Sequence, residues 1–472
     1  MKHVQALIDR IIRRVNNHLR EFNFDVDPYA RPAVTLRQFL KFYAFYGITA
    51  HHPIHFHFGH SSLAGSYFLG KCSVDHSILY KSDIRGDELK SRGETVQVAN
   101  HHAILRDDET IRIQHSLLVK TLVHNYNHDI ESPEEFPICQ TFSAPYANIH
   151  GSAMMGCFLG PFATVDLTTV HDCIIGAFAY VQTGELQHTN VAPGTVWIKA
   201  PAFEFTYRFP AHDLSAYISH PVGKAPRGML IDFVEQREAA FQPLFDAVHL
   251  EIPAAGHSRS ALSRYAVTLR KVRLGDNVLV AQRAYLENAR LGSGSNAQES
   301  CYIVDSHLEG LNVTAHGGKI VHAKLGIKAF VGFNSFLCGK PHCPLTIGSN
   351  TIVLPHTIID LQEPLEIPSH HLVWGLIRNR QDLAQNSLPL KQLAQVEGDL
   401  EIGRMRFHGQ GRDFVERFRH RIEHILEANG AYYDGKGLRG HAQKGQNISF
   451  NIIQPYTRGP LRGLYPTIDI NP

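Results

Sequence analysis

The chain has 472 residues, 19% of them charged, and a formal net charge of +2 at pH 7, a balance that excludes a global electrostatic pull toward nucleic acid or an anionic membrane surface. Its seven cysteines are scattered, odd in number and never paired as Cys-x-x-Cys, which excludes a disulfide framework and points to a reducing, cytoplasmic setting. Charges throughout the opening MKHVQALIDRIIRRV exclude a leader's apolar core, and Gln140, Asn148, His150 and several glycines and prolines break up the uncharged stretch 136–165 too often for a membrane span.

In chain order, residues 3–20 predict an amphipathic helix, with Val4, Leu7, Ile8, Ile11, Ile12, Val15 and Leu19 on one face. Thr35 and Gln38 have capping-box spacing and predict a second helix ending near Gly47. Residues 1–50 thus read as a helical cap for the open end of the structure that follows. Apolar positions then recur five apart at Leu69, Val74, Leu79, Ile84 and Leu89. Residues 90–148, rich in His and Asn, read as an outward excursion. A second apolar block runs through Leu159, Val165, Val170, Ile175 and Val181. Residues 187–265 break the period and contain a predicted helix over 228–248.

The strongest pattern lies in 271–377. Leu274, Leu291, Leu308 and Leu325 repeat every 17 residues, and the slot is expected again at Ile347 and Leu365. Six residues past the first five stand Val280, Ala297, Thr314, Val331 and Val353; six further on stand Leu286, Ile303, Ile320, Leu337 and Ile359. Three inward columns per repeat describe a chain turning three corners per coil, each side a short parallel strand stacked on the coil before. Gly275, Gly292, Gly326 and Gly348 follow inward aliphatics and read as left-handed backbone at the corners. Beyond 378 the period stops. A helix is predicted over 411–429 with Phe414, Phe418, Ile422, Ile425 and Leu426 inward. The Gly- and Pro-rich end reads as an extended arm packing on another surface, such as a neighbouring subunit.

These columns resemble the left-handed β-helix superfamily of hexapeptide-repeat transferases. The expected fold is all-β dominated: one left-handed parallel β-helix over 51–378, interrupted at about 90–148 and 187–265, with the helix and arm in 379–472. The resemblance implies a homotrimer with sites in the clefts between subunits, because three heterologous contacts close a ring. Phe330, Phe333 and Phe336 would suit such contacts, or be covered by the 187–265 excursion.

Val170-His171-Asp172-Cys173-Ile174-Ile175-Gly176 resembles a segment of UDP-N-acetylglucosamine O-acyltransferase. The resemblance implies that His171 is the general base, oriented by Asp172, and that a hydroxyl or amine acceptor such as a sugar nucleotide attacks an acyl thioester. Thr168 stands where that family has a further histidine. Arg283, Leu291-Gly292, Asn296, Gln298 and Glu299 resemble the γ-class carbonic anhydrases, which implies zinc held by three histidines. The first expected ligand position is Val304, and His316 and His322, with His307 nearby, are the available imidazoles. His322 is also a candidate catalytic residue. His55 and His57 in the run 51–60 share a face if extended, and His101, His102, His124 and His128 follow, a composition that suits metal or a half-buried sheet. The exit His371-Leu372-Val373-Trp374-Gly375-Leu376 resembles the closing, coenzyme A-binding segment of hexapeptide transferases, with Ile377-Arg378 in place of Pro-Ala. Acyl-CoA or an acyl carrier protein is the donor this implies. Three readings remain open at this point: the acyltransferase on a small-molecule substrate, the metalloenzyme, and a trimeric scaffold.

Overall fold

The computed structural model describes residues 2–33, 44–48, 55–86, 88–98, 101–125, 132–246, 259–437, 439–444 and 449–470. They form two compact units, one of 1–195, 210–231 and 448–472, the other of 196–209 and 232–447. Each unit contains its own left-handed parallel β-helix.

In the first unit three parallel sheets form the three sides of the coil. One inward file runs Phe68, Ile84, Val123, Ile149, Val165 and Val181. A second runs Phe58, Val74, Ile113, Ile138, Met154, Val170 and Leu186. A third runs Leu79, Leu118, Ser143, Leu159, Ile175 and Val191. The block that opens at Leu69 in the sequence reading opens at Phe68 instead, since Leu69 pairs with Arg85 on the other side of the strand. The stack takes up Thr110–Gln114, Leu117–Val119, Leu122–His124, Glu135–Cys139, Phe142–Ser143 and Asn148–His150, so the first excursion is shorter than 90–148. Its centre is the hairpin Thr95–Val98 with His101–Ile104.

Helix α1 (Lys2–Leu19) buries the predicted apolar face. It lies on a flat side of the coil, against Ile78, Tyr80, Leu117, Val119, Phe142, Phe158 and Ile174, rather than over an end. Of the second helix expected from Thr35 to near Gly47, residues 34–43 lie outside the described residues and the end is not helical, since Ala44–Ile48 is a strand; Asp27–Ala33 is a short helix. The open end is closed differently. Ser449–Ile453 pairs antiparallel with Ala44–Ile48, and Ile468–Ile470 with Phe56–Gly59. The terminal arm thus adds strands to two sheets of its own chain, covering backbone edges that would otherwise template pairing.

In the second unit the three inward columns stand as the period demands. Val280, Ala297, Thr314, Val331, Val353 and Val373 form one file. Leu286, Ile303, Ile320, Leu337, Ile359 and Ile377 form the next. The third runs Leu274, Leu291, Leu308, Leu325 and Ile347 but closes on Ile367, not Leu365. All except Leu274 and Thr314 belong to one continuous buried hydrocarbon core.

Helix α2 (Met229–Asp246) places Phe233 on Tyr302 and Phe336, with ring centroids 5.5 and 5.6 Å apart. Helix α3 (Gly411–Ala428) sets Phe418 on Phe330 and the guanidinium of Arg421 over Phe333. The three phenylalanines offered above as subunit contacts are therefore packed against helices of their own unit.

Candidate functional site

The motif around His171 belongs to a larger pattern in the first unit. One corner of the coil repeats a triplet: a strand-end residue, a residue in the left-handed region, and a small hydroxyl or thiol. The strand ends Gly59, Asp75, Gln114, Cys139, Met155, His171 and Gln187 stand in one register column. The residues that follow them, His60, His76, His115, Gln140, Gly156, Asp172 and His188, all have φ between 46° and 68°. Next come Ser61, Ser77, Ser116, Thr141, Cys157, Cys173 and Thr189. Ser61 and Ser77 Oγ accept the amide N–H of the following rung, as Cys173 Sγ accepts that of Thr189. Cys173 Sγ also donates to the His171 carbonyl at 3.0 Å. Burial raises its pKa to about 11, so Cys173 is a structural thiol rather than a nucleophile.

Asp172 orients an imidazole, but not that of His171. Its Oδ1 lies 2.6 Å from Nδ1 of His18, in the last turn of α1. Nε2 of His18 is 3.0 Å from Oε1 of Gln140. The His18 ring occupies the notch left by Gly156, where a Cβ would stand 2.4 Å from His18 Cγ and 2.6 Å from Asp172 Oδ1. The helix therefore supplies the imidazole and the coil supplies the carboxylate and the space. In the tautomer whose Nδ1–H donates to Asp172 Oδ1, Nε2 presents its lone pair toward the Gln140 amide, whose N and O positions are interchangeable by a flip. His18 and Asp172 are 25% and 34% exposed, so the pair is open to solvent. One coil further, Phe22 stacks on His188 and Glu21 Oε2 lies 3.3 Å from its Nε2, which anchors the end of the helix segment. His171 itself ends its strand half-buried, beside Gln187.

A second imidazole–carboxylate pair lies on another side of the same unit. His150 Nδ1 is 2.8 Å from Oδ1 of the fully buried Asp166, whose Oδ2 accepts the Tyr180 hydroxyl. Strand register places these residues on adjacent coils. This carboxylate is sealed from solvent, whereas that of Asp172 is not.

In the second unit His322 lies at a corner with Nε2 3.7 Å from Asp305 Oδ2. His316 occupies a different corner of that coil, buried, with Nδ1 2.8 Å from Glu299 Oε2. His316 stands in the turn before the strand Lys319–Val321 and His322 at the corner after it, and among the described residues no cluster of three possible ligands holds both. Val304 is a buried strand residue without a ligand atom. The carbonic-anhydrase reading thus lacks three converging ligands among the described residues of this unit. His57 stands in the strand Phe56–Gly59, whereas His51, His52 and His128 lie outside the described residues.

Lys319 is buried with Nζ donating to the Gly317 carbonyl at 2.6 Å, and burial lowers its pKa to about 7 from 10.5. Between those values the unfolded chain holds a proton that the folded protein has released. Stability should therefore rise with pH from about 7 toward 10.5. Lys319→Met is expected to raise the urea midpoint at pH 7 and to lose that advantage by about pH 10. Equal wild-type-to-variant differences at both pH values would show that Lys319 is not held neutral.

A cleft against α1 is lined by Asp9, Arg10, Arg13, Asp25, Asp27 and Arg31. Arg31 bridges Asp9 and Asp27 within it, so its charges largely neutralise each other and it does not adjoin the His18 imidazole. No helix of the described residues is long and apolar enough to cross a membrane.

A family model described as hexapeptide repeat including loop matches residues 101–221. A crystal structure from Desulfovibrio desulfuricans G20, provisionally described as that of an acetyltransferase, is 52% identical. That likeness covers 100% of this chain and 99% of that one, with a TM-score of 0.95. WeeI from Acinetobacter baumannii AYE is 19% identical over 33% of this chain and 78% of its own, with a TM-score of 0.16. UDP-N-acetylglucosamine acyltransferase from Campylobacter jejuni is 10% identical over 68% of this chain and 97% of its own, with a TM-score of 0.17. No curated protein matches the chain. The stacked three-sided coils and the full-length likeness lead to one assignment: the chain belongs to the left-handed β-helix superfamily of hexapeptide-repeat proteins.

Proposed function

We propose that the protein is an acyltransferase that moves an acyl group, acetyl in the first instance, from a thioester donor to a hydroxyl or amine on a small molecule such as a sugar nucleotide. The observation that carries the reaction class is the full-length, 52% identical likeness to a protein provisionally described as an acetyltransferase. The hydrogen bond between His18 and Asp172 supports the choice of base.

In this reading Gln140 marks where the acceptor's N–H or O–H sits. The acceptor displaces the Gln140 amide, and His18 Nε2 takes its proton as the heteroatom bonds to the thioester carbonyl carbon. Asp172 holds the Nδ1–H tautomer and stabilises the imidazolium that forms. The C–S bond then breaks, and the departing thiolate recovers the proton from Nε2. His171, one residue from the carboxylate, and His322 in the second unit are the alternative bases, and the variant of each that loses turnover with the fold intact identifies the base. Assembly as a homotrimer in the cytoplasm is part of the proposal. All seven cysteines are free thiols, which supports a reducing compartment.

The test is thiol release from acetyl-CoA in the presence of amino and hydroxyl sugar nucleotides, with the acylated product weighed by mass spectrometry. Acceptor-dependent thiol release is expected. Absence of both thiol and acylated product across the panel would leave a non-catalytic scaffold. Light scattering on the same preparation reads the assembly, and a monomer mass would remove the trimer from the proposal.

A further inference from the structure

The corner ladder in the first unit carries a second cluster that the acyl-transfer reading does not use. Its first two rungs hold His60, Asp75 and His76. His76 Nδ1 lies 2.8 Å from Asp75 Oδ2 and His60 Nδ1 3.6 Å from Asp75 Oδ1. The two imidazole rings stack at 4.7 Å. One ligand atom from each residue falls within 4.8 Å of the others. We propose that these three side chains bind one divalent cation of the zinc class.

The geometry needs little adjustment. Ligand atoms about 2.0–2.1 Å from a tetrahedral zinc are about 3.4 Å apart, so the cluster has only to contract slightly around an ion. The backbone already fixes its parts, because the His76 amide bonds the Gly59 carbonyl at 3.1 Å and the corner holds both histidines in the left-handed region. Gly59 leaves a notch beside them. A Cβ there would meet Asp75 Oδ1 at 2.9 Å and His57 Nε2 at 3.0 Å. The missing side chain thus leaves a carboxylate oxygen and a further imidazole nitrogen facing the same small space. Two imidazoles and one carboxylate select zinc and its transition-metal neighbours over magnesium or calcium, which prefer all-oxygen shells.

The next rung, His115, has its ring 5.3 Å from that of His76. Four coils separate His76 from Asp172, roughly 19 Å at strand spacing. The cation would hold the first coils together rather than touch the acyl-transfer site, and the two proposals can fail separately.

The experiment titrates chelator-stripped, full-length protein with Zn²⁺ by calorimetry and with Co²⁺ by visible absorption. One equivalent with a Kd below about 10 µM is expected. His76→Ala and Asp75→Asn should each weaken binding at least about 30-fold, while His102→Ala, in the exposed hairpin strand, should leave it unchanged. Far-UV circular dichroism checks that each variant keeps its fold. Wild-type protein without one equivalent of this affinity, or a folded His60→Ala/His76→Ala variant that retains it, would overturn the proposal.

Discussion

Alanine at position 18 is expected to lower kcat by about 10²–10⁴-fold, the usual contribution of a positioned general base. Asp172→Asn should cost a large part of the same factor, because an amide can bond Nδ1 but does not stabilise the imidazolium. The double variant should cost little more than the worse single variant, as groups acting as one unit are not additive. Gly156→Ala supplies an independent check. It removes no chemical group, yet its Cβ would lie 2.4 Å from His18 Cγ at a residue with φ +68°, so it should expel the imidazole and reduce turnover similarly. His171→Ala, which leaves the His18–Asp172 bond in place, should keep kcat within about threefold of wild type. The opposite order, with His171 essential and His18 dispensable, would return the role of base to the residue implied by the acyltransferase resemblance. Circular dichroism and the thermal midpoint separate these outcomes from loss of fold.

The site was only half legible in the sequence, for a physical reason. Asp172 was found through its local motif, but its partner lies 154 residues away on a helix. No spacing rule along a coil reports what an outer helix lays against it. A signal was nevertheless present. His60-Ser61, His76-Ser77, His115-Ser116, Asp172-Cys173 and His188-Thr189 repeat one corner chemistry. That repetition identifies Cys173 as a rung and Gly156 as the one rung without a side chain. The apolar columns were far more legible, because inward aliphatics must recur once per side of every coil. In the second unit they misplaced one position, where two inward aliphatics flank a single outward residue: Leu365 pairs with Leu345, Ile367 continues the file through Ile347, and all four are buried in the same core. The shortened first excursion has a similar origin. The strands between Thr110 and His124 and between Glu135 and His150 belong to the stack with Ser116, Thr121, Thr141 and Ser143 buried, so a column of aliphatics alone does not show them.

The glycines of the second unit lead to the other large effect. The spacing of Gly275, Gly292, Gly326 and Gly348 predicts left-handed corner residues, but none has positive φ; Asn277, Asn288, Asp305 and His322 are among those that do. Their requirement is proximity to the next coil. A Cβ on Gly292 would lie 1.9 Å from the Glu309 carbonyl oxygen, and one on Gly348 2.3 Å from the Ser369 amide nitrogen. Both contacts are with backbone, which cannot swing aside as a side chain can. Gly292→Ala must therefore separate two coils or twist their strands, at a cost of about 3 kcal/mol or more. Leu308→Ala, in the same file and fully buried, instead creates a cavity and should cost about 2–5 kcal/mol. The two should differ in how they combine with a nearby truncation. Leu325→Ala enlarges the same cavity, so its cost should add poorly to that of Leu308→Ala, whereas Gly292→Ala should already have loosened the stack. Urea midpoints and slopes for the singles and pairs read both effects. An unfolding free energy within about 0.5 kcal/mol of wild type for Gly292→Ala would mean that the coils do not approach as closely as the close backbone contact requires.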